Sequence, residues 1–130
     1  MIDFHLDVRS GVSPYLQLVQ QVQRALRLGL LSVGDQLPTV KEVVAKLAIN
    51  PNTVLKAYRE LELEGLVEGR PGLGTFVVRS LAGPSLASQA ELRRDLEAWL
   101  HRARTAGLDQ EDVVALVETT LRSSFQEGVA

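Results

Sequence analysis

The 130-residue sequence contains no cysteine, so disulfide frameworks, thiolate metal sites and cysteine nucleophiles are all excluded. Aromatic residues are scarce at 5%, with a single tryptophan. No apolar run reaches the roughly 18–20 residues a membrane-spanning helix needs, and the N-terminal Met-Ile-Asp-Phe-His-Leu-Asp lacks the basic-then-apolar order of a signal peptide. A cytoplasmic protein with no membrane partner is the expectation. His5 and His101 are far apart and have no acidic neighbours at metal-ligand spacing. Gly69-Arg70-Pro71-Gly72-Leu73-Gly74 lacks the Lys-Ser/Thr and following helix of a phosphate loop. These absences leave an enzyme reading without support, and no metal or cofactor is expected.

Neither is there a large excess of one charge. The net charge is −2, but it is unevenly spread. Residues 1–80 carry nine Lys/Arg against eight Asp/Glu, a net of +1, and residues 81–130 carry five against eight, a net of −3. The asymmetry weakly favours a nucleic-acid-binding unit in the N-terminal part. A hydrophobic content of 45% suffices for a core.

The pattern along the chain begins with Ile2, Phe4 and Leu6 alternating with polar residues, a short half-buried strand or extended arm. Pro14 starts a helix expected to reach about Leu30, with Leu16, Val19, Val22, Leu26 and Leu30 on one face. Val33 to Pro38 is a Gly/Pro loop. Thr39, with Glu42 three residues on, forms a capping box for a helix from Val40 to about Leu47 that turns Val43, Val44 and Leu47 inward. Only Ala48 and Ile49 separate it from Asn50, an N-cap followed by Pro51 at the first helical position. Two short helices so tightly joined cross steeply, as in a helix-turn-helix. In the second, Val54, Tyr58 and Leu61 recur at helical spacing, leaving Asn52, Thr53 and Lys56 on the other side of its first turns; Gly65 stops it. The end of a helix that enters a DNA major groove carries such short or basic hydrogen-bonding side chains. Leu55 sits beside that face and should contact either a thymine methyl or the core. Leu66–Glu68 and Thr75–Val78 read as strands flanking Gly69–Gly74, a hairpin that places Arg70 to reach the DNA backbone or minor groove.

Strand, helix, helix-turn-helix and hairpin are the order of a winged helix. The chain resembles GntR-family transcription regulators of the short YtrA-like subfamily. The resemblance rests on Pro14-Tyr15-Leu16-Gln17-Leu18-Val19, Gly34 to Val43, Asn50 to Glu62 and Gly72-Leu73-Gly74-Thr75-Phe76-Val77. It implies a homodimer that binds a palindromic double-stranded DNA operator and usually represses transcription, often of a transporter operon. It further implies that Lys41, Asn50, Asn52, Thr53 and Lys56 contact DNA, with Gly72 and Gly74 at the wing. Lys41 stands where the family more often has arginine, and Leu73 where it often has a basic residue, so a wing contact rests more on Arg70. The alternative is a winged helix that binds protein partners without specific DNA recognition.

The expected fold class is α+β, mostly α: a winged helix-turn-helix over residues 1–80, then a linker and two-helix dimerisation region over 81–130. Ser80–Ser88 is the linker. A helix from about Gln89 to Ala106 and another beginning after Asp109 are too small to form a core unaided. Leu92, Leu96, Trp99, Val113, Leu116, Val117 and Leu121 therefore require another surface, either their own winged helix or the same segment of a second chain; an isologous dimer is favoured. A small-molecule effector is compatible with this plan, but no residue pattern marks its site.

Overall fold

The computed structural model describes residues 2–83 and 86–127; the side chains of residues 86, 87 and 127 lie outside the description. The chain divides into two compact units, Met1–Leu86 and Ala87–Ala130. The first contains α1 (Pro14–Arg27), α2 (Val40–Leu47), α3 (Pro51–Leu63), β1 (Val67–Arg70) and β2 (Gly74–Val77); the second contains α4 (Leu86–Thr105) and α5 (Gln110–Glu127). The fold is mostly helical, with a winged helix-turn-helix followed by two helices. Pro84 and Ser85 of the anticipated linker lie outside the described residues, and α4 begins three residues before the expected Gln89.

The core of the first unit joins all its elements: Phe4 from the arm, Leu18, Val22 and Leu26 from α1, Val43 from α2, Val54 and Leu61 from α3, and Val67 and Val77 from the hairpin. The arm is extended but unpaired with any strand. Glutamine side chains one helical turn apart on α1 supply its partners instead. The His5 N–H donates to Gln21 Oε1 (3.1 Å) and Gln21 Nε2 donates to the His5 carbonyl (2.7 Å). Asp7 and Gln17 repeat the exchange at 2.8 and 2.9 Å. An i, i+4 pair on a helix spans about 6 Å and two strand residues about 6.6 Å, so the two repeats match.

Helix α1 stops three residues before the anticipated Leu30, with Gly29 in the left-handed region at φ 73°. Leu16 and Leu30 are 36% and 66% exposed, so neither belongs to the inward face expected of it; Leu18 and Ala25 are inside instead. Gln17 is also inside, its amide hydrogen-bonded to Asp7, Ser10 and Val12. The capping box at Thr39 forms, Glu42 N–H donating to Thr39 Oγ1 at 3.1 Å. Ala48 adopts φ 54°, a left-handed conformation that ends α2 and turns the chain into the α3 cap. The end of α3 is a Schellman motif: Gly65 N–H donates to Glu62 O (2.9 Å) and Leu66 N–H to Leu61 O (3.1 Å), with Gly65 at φ 76°.

The sequence predicts only a loop for residues 34–37, yet they align against β2. Gly34 N–H donates to Val77 O, Val77 N–H to Asp35 O and Leu37 N–H to Thr75 O, at 2.8–2.9 Å. The wing thus has a third backbone edge that Gly and Pro conceal in the sequence. The hairpin register pairs Val67 with Val77 and Arg70 with Gly74, so β1 begins one residue later than Leu66 and runs on to Arg70.

Tyr58 ties α3 to the start of the helix-turn-helix. Its buried hydroxyl donates to the Pro38 carbonyl at 2.5 Å, and burial, reinforced by the nearby Glu42 carboxylate, pushes the phenol well above its ordinary value. Because the folded state holds this proton more tightly than the unfolded chain, its contribution is fully present below about pH 10 and lost as pH rises beyond it. Tyr58→Phe is expected to cost about 1–2 kcal/mol at neutral pH by orphaning the carbonyl, and to flatten the alkaline loss of stability. Urea titrations at pH 7 and above pH 10 measure both; an unchanged alkaline slope would assign it to other groups.

Candidate nucleic-acid interface

Helix α3 is held from behind. Val54, Ala57, Tyr58 and Leu61 are its buried residues, which fixes the opposite face outward. Asn52, Lys56 and Arg59 follow one another at i, i+4 and i+7 on that face, and all are exposed. Thr53 lies at its side, half-buried. Arg59 escapes a sequence reading confined to the first turns, which ends at Lys56; the helical period extends the stripe by one more turn. Leu55 is 43% exposed, so the core is not its main partner.

Asn50 is committed to the cap: its Oδ1 accepts the Asn52 N–H at 2.8 Å, and its carbonyl accepts the Thr53 N–H at 2.9 Å. This fixes the backbone that carries Asn52 and Thr53 and leaves the Asn50 amide nitrogen as the group able to reach outward. Lys41, in the first turn of α2, is exposed and forms no ion pair among the described residues. Lys46, by contrast, pairs with Asp3 of the arm.

Two of the cations rest on aromatic rings. Lys56 Nζ lies 3.9 Å from the centre of the Tyr15 ring, and the Arg70 guanidinium carbon lies 4.6 Å from that of Phe76. A ring restrains a cation without neutralising it, so the full charge stays available to a phosphate. Arg70 additionally faces Glu68 at 3.8 Å, a loose exposed contact. Glu62 and Glu64 have structural partners: Gly69 N–H donates to Glu62 Oε1 (3.2 Å), linking α3 to the wing, and Gln23 Nε2 donates to Glu64 Oε2 (2.8 Å), linking it to α1.

The wing turn is Arg70-Pro71-Gly72-Leu73, closed by Leu73 N–H to Arg70 O at 2.9 Å, with Gly72 at φ 76°. Gly74 is constrained from two sides. Its φ of 123° is rarely adopted by L side chains, and a Cβ there would come within 2.5 Å of Gln36 Nε2. That same nitrogen donates to the Leu73 carbonyl at 3.1 Å, so Gly74 lets the 34–37 segment brace the wing. Leu73 is 67% exposed at the tip.

In the second unit, Ala103 is the one buried residue among the described side chains. Asp109 and Asp112 cap α5 reciprocally, at 2.8 and 3.0 Å. Leu96 and Trp99 of α4 and Leu116, Val117 and Leu121 of α5 line an open apolar groove of about 400 Å³ that ends near Phe125. Leu92, 66% exposed, and the half-buried Val113 lie outside it. Among the described residues no cluster of His, Cys, Asp or Glu is arranged to hold a metal ion, and no helix is long and apolar enough to cross a membrane.

Residues 14–77 match the model of the bacterial regulatory proteins, gntR family. The HTH-type transcriptional repressor YtrA of Bacillus subtilis is 43% identical over 107 residues, 82% of each chain. The HTH-type transcriptional regulator Rv1152 of Mycobacterium tuberculosis is 37% identical over 109 residues, covering 84% of this chain and 86% of its own. Among solved structures, YtrA from Sulfolobus acidocaldarius, a GntR-family transcription factor, superposes with a TM-score of 0.53 at 25% identity over 92% of this chain and 97% of that one. With its winged helix and outward α3 face, the chain belongs to the gntR family of bacterial regulatory proteins, DNA-binding transcription regulators rather than enzymes.

Proposed function

We propose that the protein is a homodimeric repressor that inserts one α3 helix into each major groove of a palindromic operator. The observation that carries this reading is the outward face of α3, where Asn52 and Lys56 stand clear of the core while Arg70 projects from the wing. Lys41, Lys56, Arg59 and Arg70 supply phosphate attraction, and Asn52 and Thr53 read base edges. The two half-sites lie about one helical turn, ~34 Å, apart or a multiple of it. The dimer forms through the α4–α5 groove, whose apolar lining stays open in a single chain, and an isologous contact sets this surface against its own copy. The description of the Bacillus relative as a repressor supports the direction of control. An adjacent transport operon is the proposed target, and an effector would act on the dimer.

Gel-shift titration against the chain's own upstream region, over a salt series, tests the reading. Affinity no better than for random duplex would defeat it. Lys56→Ala is expected to weaken binding to all sequences alike and to reduce the salt slope by about one unit for each phosphate that Lys56 neutralises. A variant with an unchanged slope would remove Lys56 from the phosphate contacts.

A further inference from the structure

Leu55 is an apolar side chain where the fold has no use for one. It lies three residues after Asn52 and four before Arg59, so the three form one stripe along α3. The helix meets its core through Val54, Ala57, Tyr58 and Leu61, while Leu55 remains 43% exposed. Exposure alone says little, since Leu63 and Leu73 are 79% and 67% exposed. Position separates them: Leu63 ends α3 and Leu73 tips the wing, whereas Leu55 stands in the N-terminal half of α3 between two hydrogen-bonding side chains. The major groove offers an apolar group to such a residue in the 5-methyl of thymine.

We infer that Leu55 reads a thymine methyl in each operator half-site, one or two base-pair steps from the pair read by Asn52. The spacing follows from the helix: side chains three residues apart have Cβ atoms about 5–6 Å apart, and stacked base pairs repeat every ~3.4 Å. The inference rests on the proposed placement of α3 in the major groove. It adds a chemical identity to one operator position and makes Leu55 a specificity residue, whereas Lys56 is indifferent to sequence.

The test uses the full chain and an operator selected from randomised duplex. Each thymine of one half-site is replaced singly by deoxyuridine, which removes the methyl and keeps the pairing. The wild-type protein is expected to lose about fourfold in affinity at one position, the worth of one buried methyl-sized group. Leu55→Ala is expected to bind the thymine and uracil forms equally at that position while melting at the wild-type temperature. Indifference of the wild type to every uracil substitution, or sensitivity that persists in Leu55→Ala, overturns the inference and leaves operator binding by α3 intact. Failure to select any sequence over random duplex overturns both.

Discussion

Replacing Leu116 by aspartate is expected to lower operator affinity by two orders of magnitude or more without touching the winged helix. Leu116 lines the α4–α5 groove and is 44% exposed in the single chain, so much of its apolar surface is left for a partner. A carboxylate placed in a buried apolar interface would have to be desolvated without a partner, at a cost of several kcal/mol. A dimer held by that surface separates. Once it does, the second half-site is no longer presented at a high effective concentration, and the 10²- to 10⁴-fold gain from bivalency disappears. Light scattering after size exclusion should show a dimer for the wild type and a monomer for the variant, with the thermal transition of the winged helix unchanged. A variant that remains dimeric would move the interface elsewhere, and a monomeric wild type would end the isologous reading.

The second large effect lies in the other unit. Leu61 is fully buried in the core that α3 shares with α1 and the hairpin, and its carbonyl accepts the Leu66 N–H that closes the Schellman turn. Leu61→Ala is expected to destabilise the winged helix by about 2–5 kcal/mol, the range for leucine truncation in a packed core. At roughly 4–8 °C per kcal/mol for a unit of this size, the thermal midpoint falls by on the order of 10 °C or more. Leu63→Ala is the matched control. That leucine is 79% exposed, so its truncation should stay within about 0.5 kcal/mol. Equal effects from the two variants in thermal melts followed by circular dichroism would contradict the packing described for α3.

The turn chemistry around α2 and α3 is readable in the residues alone. Thr39 with Glu42, Asn50 with Pro51, and Gly65 at the end of α3 are local signals, because a cap is satisfied by groups within three or four residues of itself. The stripe of Val54, Tyr58 and Leu61 is likewise a consequence of helical period, and it leaves Asn52 and Lys56 outward by elimination. Elements that depend on distant partners are less legible. The segment 34–37 looks like a Gly/Pro loop because the strand it aligns with lies about 40 residues further on. Gln17 and Gln21 look like surface polar residues because the backbone they pair with belongs to the arm.

The order of elements, their caps and the class of protein can be written down from the amino acids. Those follow from short-range periodicity and from motifs whose spacing survives without coordinates. The packed fold is needed to show that Leu16 and Leu30 face outward, that Lys56 and Arg70 rest on Tyr15 and Phe76, and that Leu55 stands outside the core. Each of those outcomes turns on which surface of one element meets another, and packing between elements distant in the chain is what fixes it.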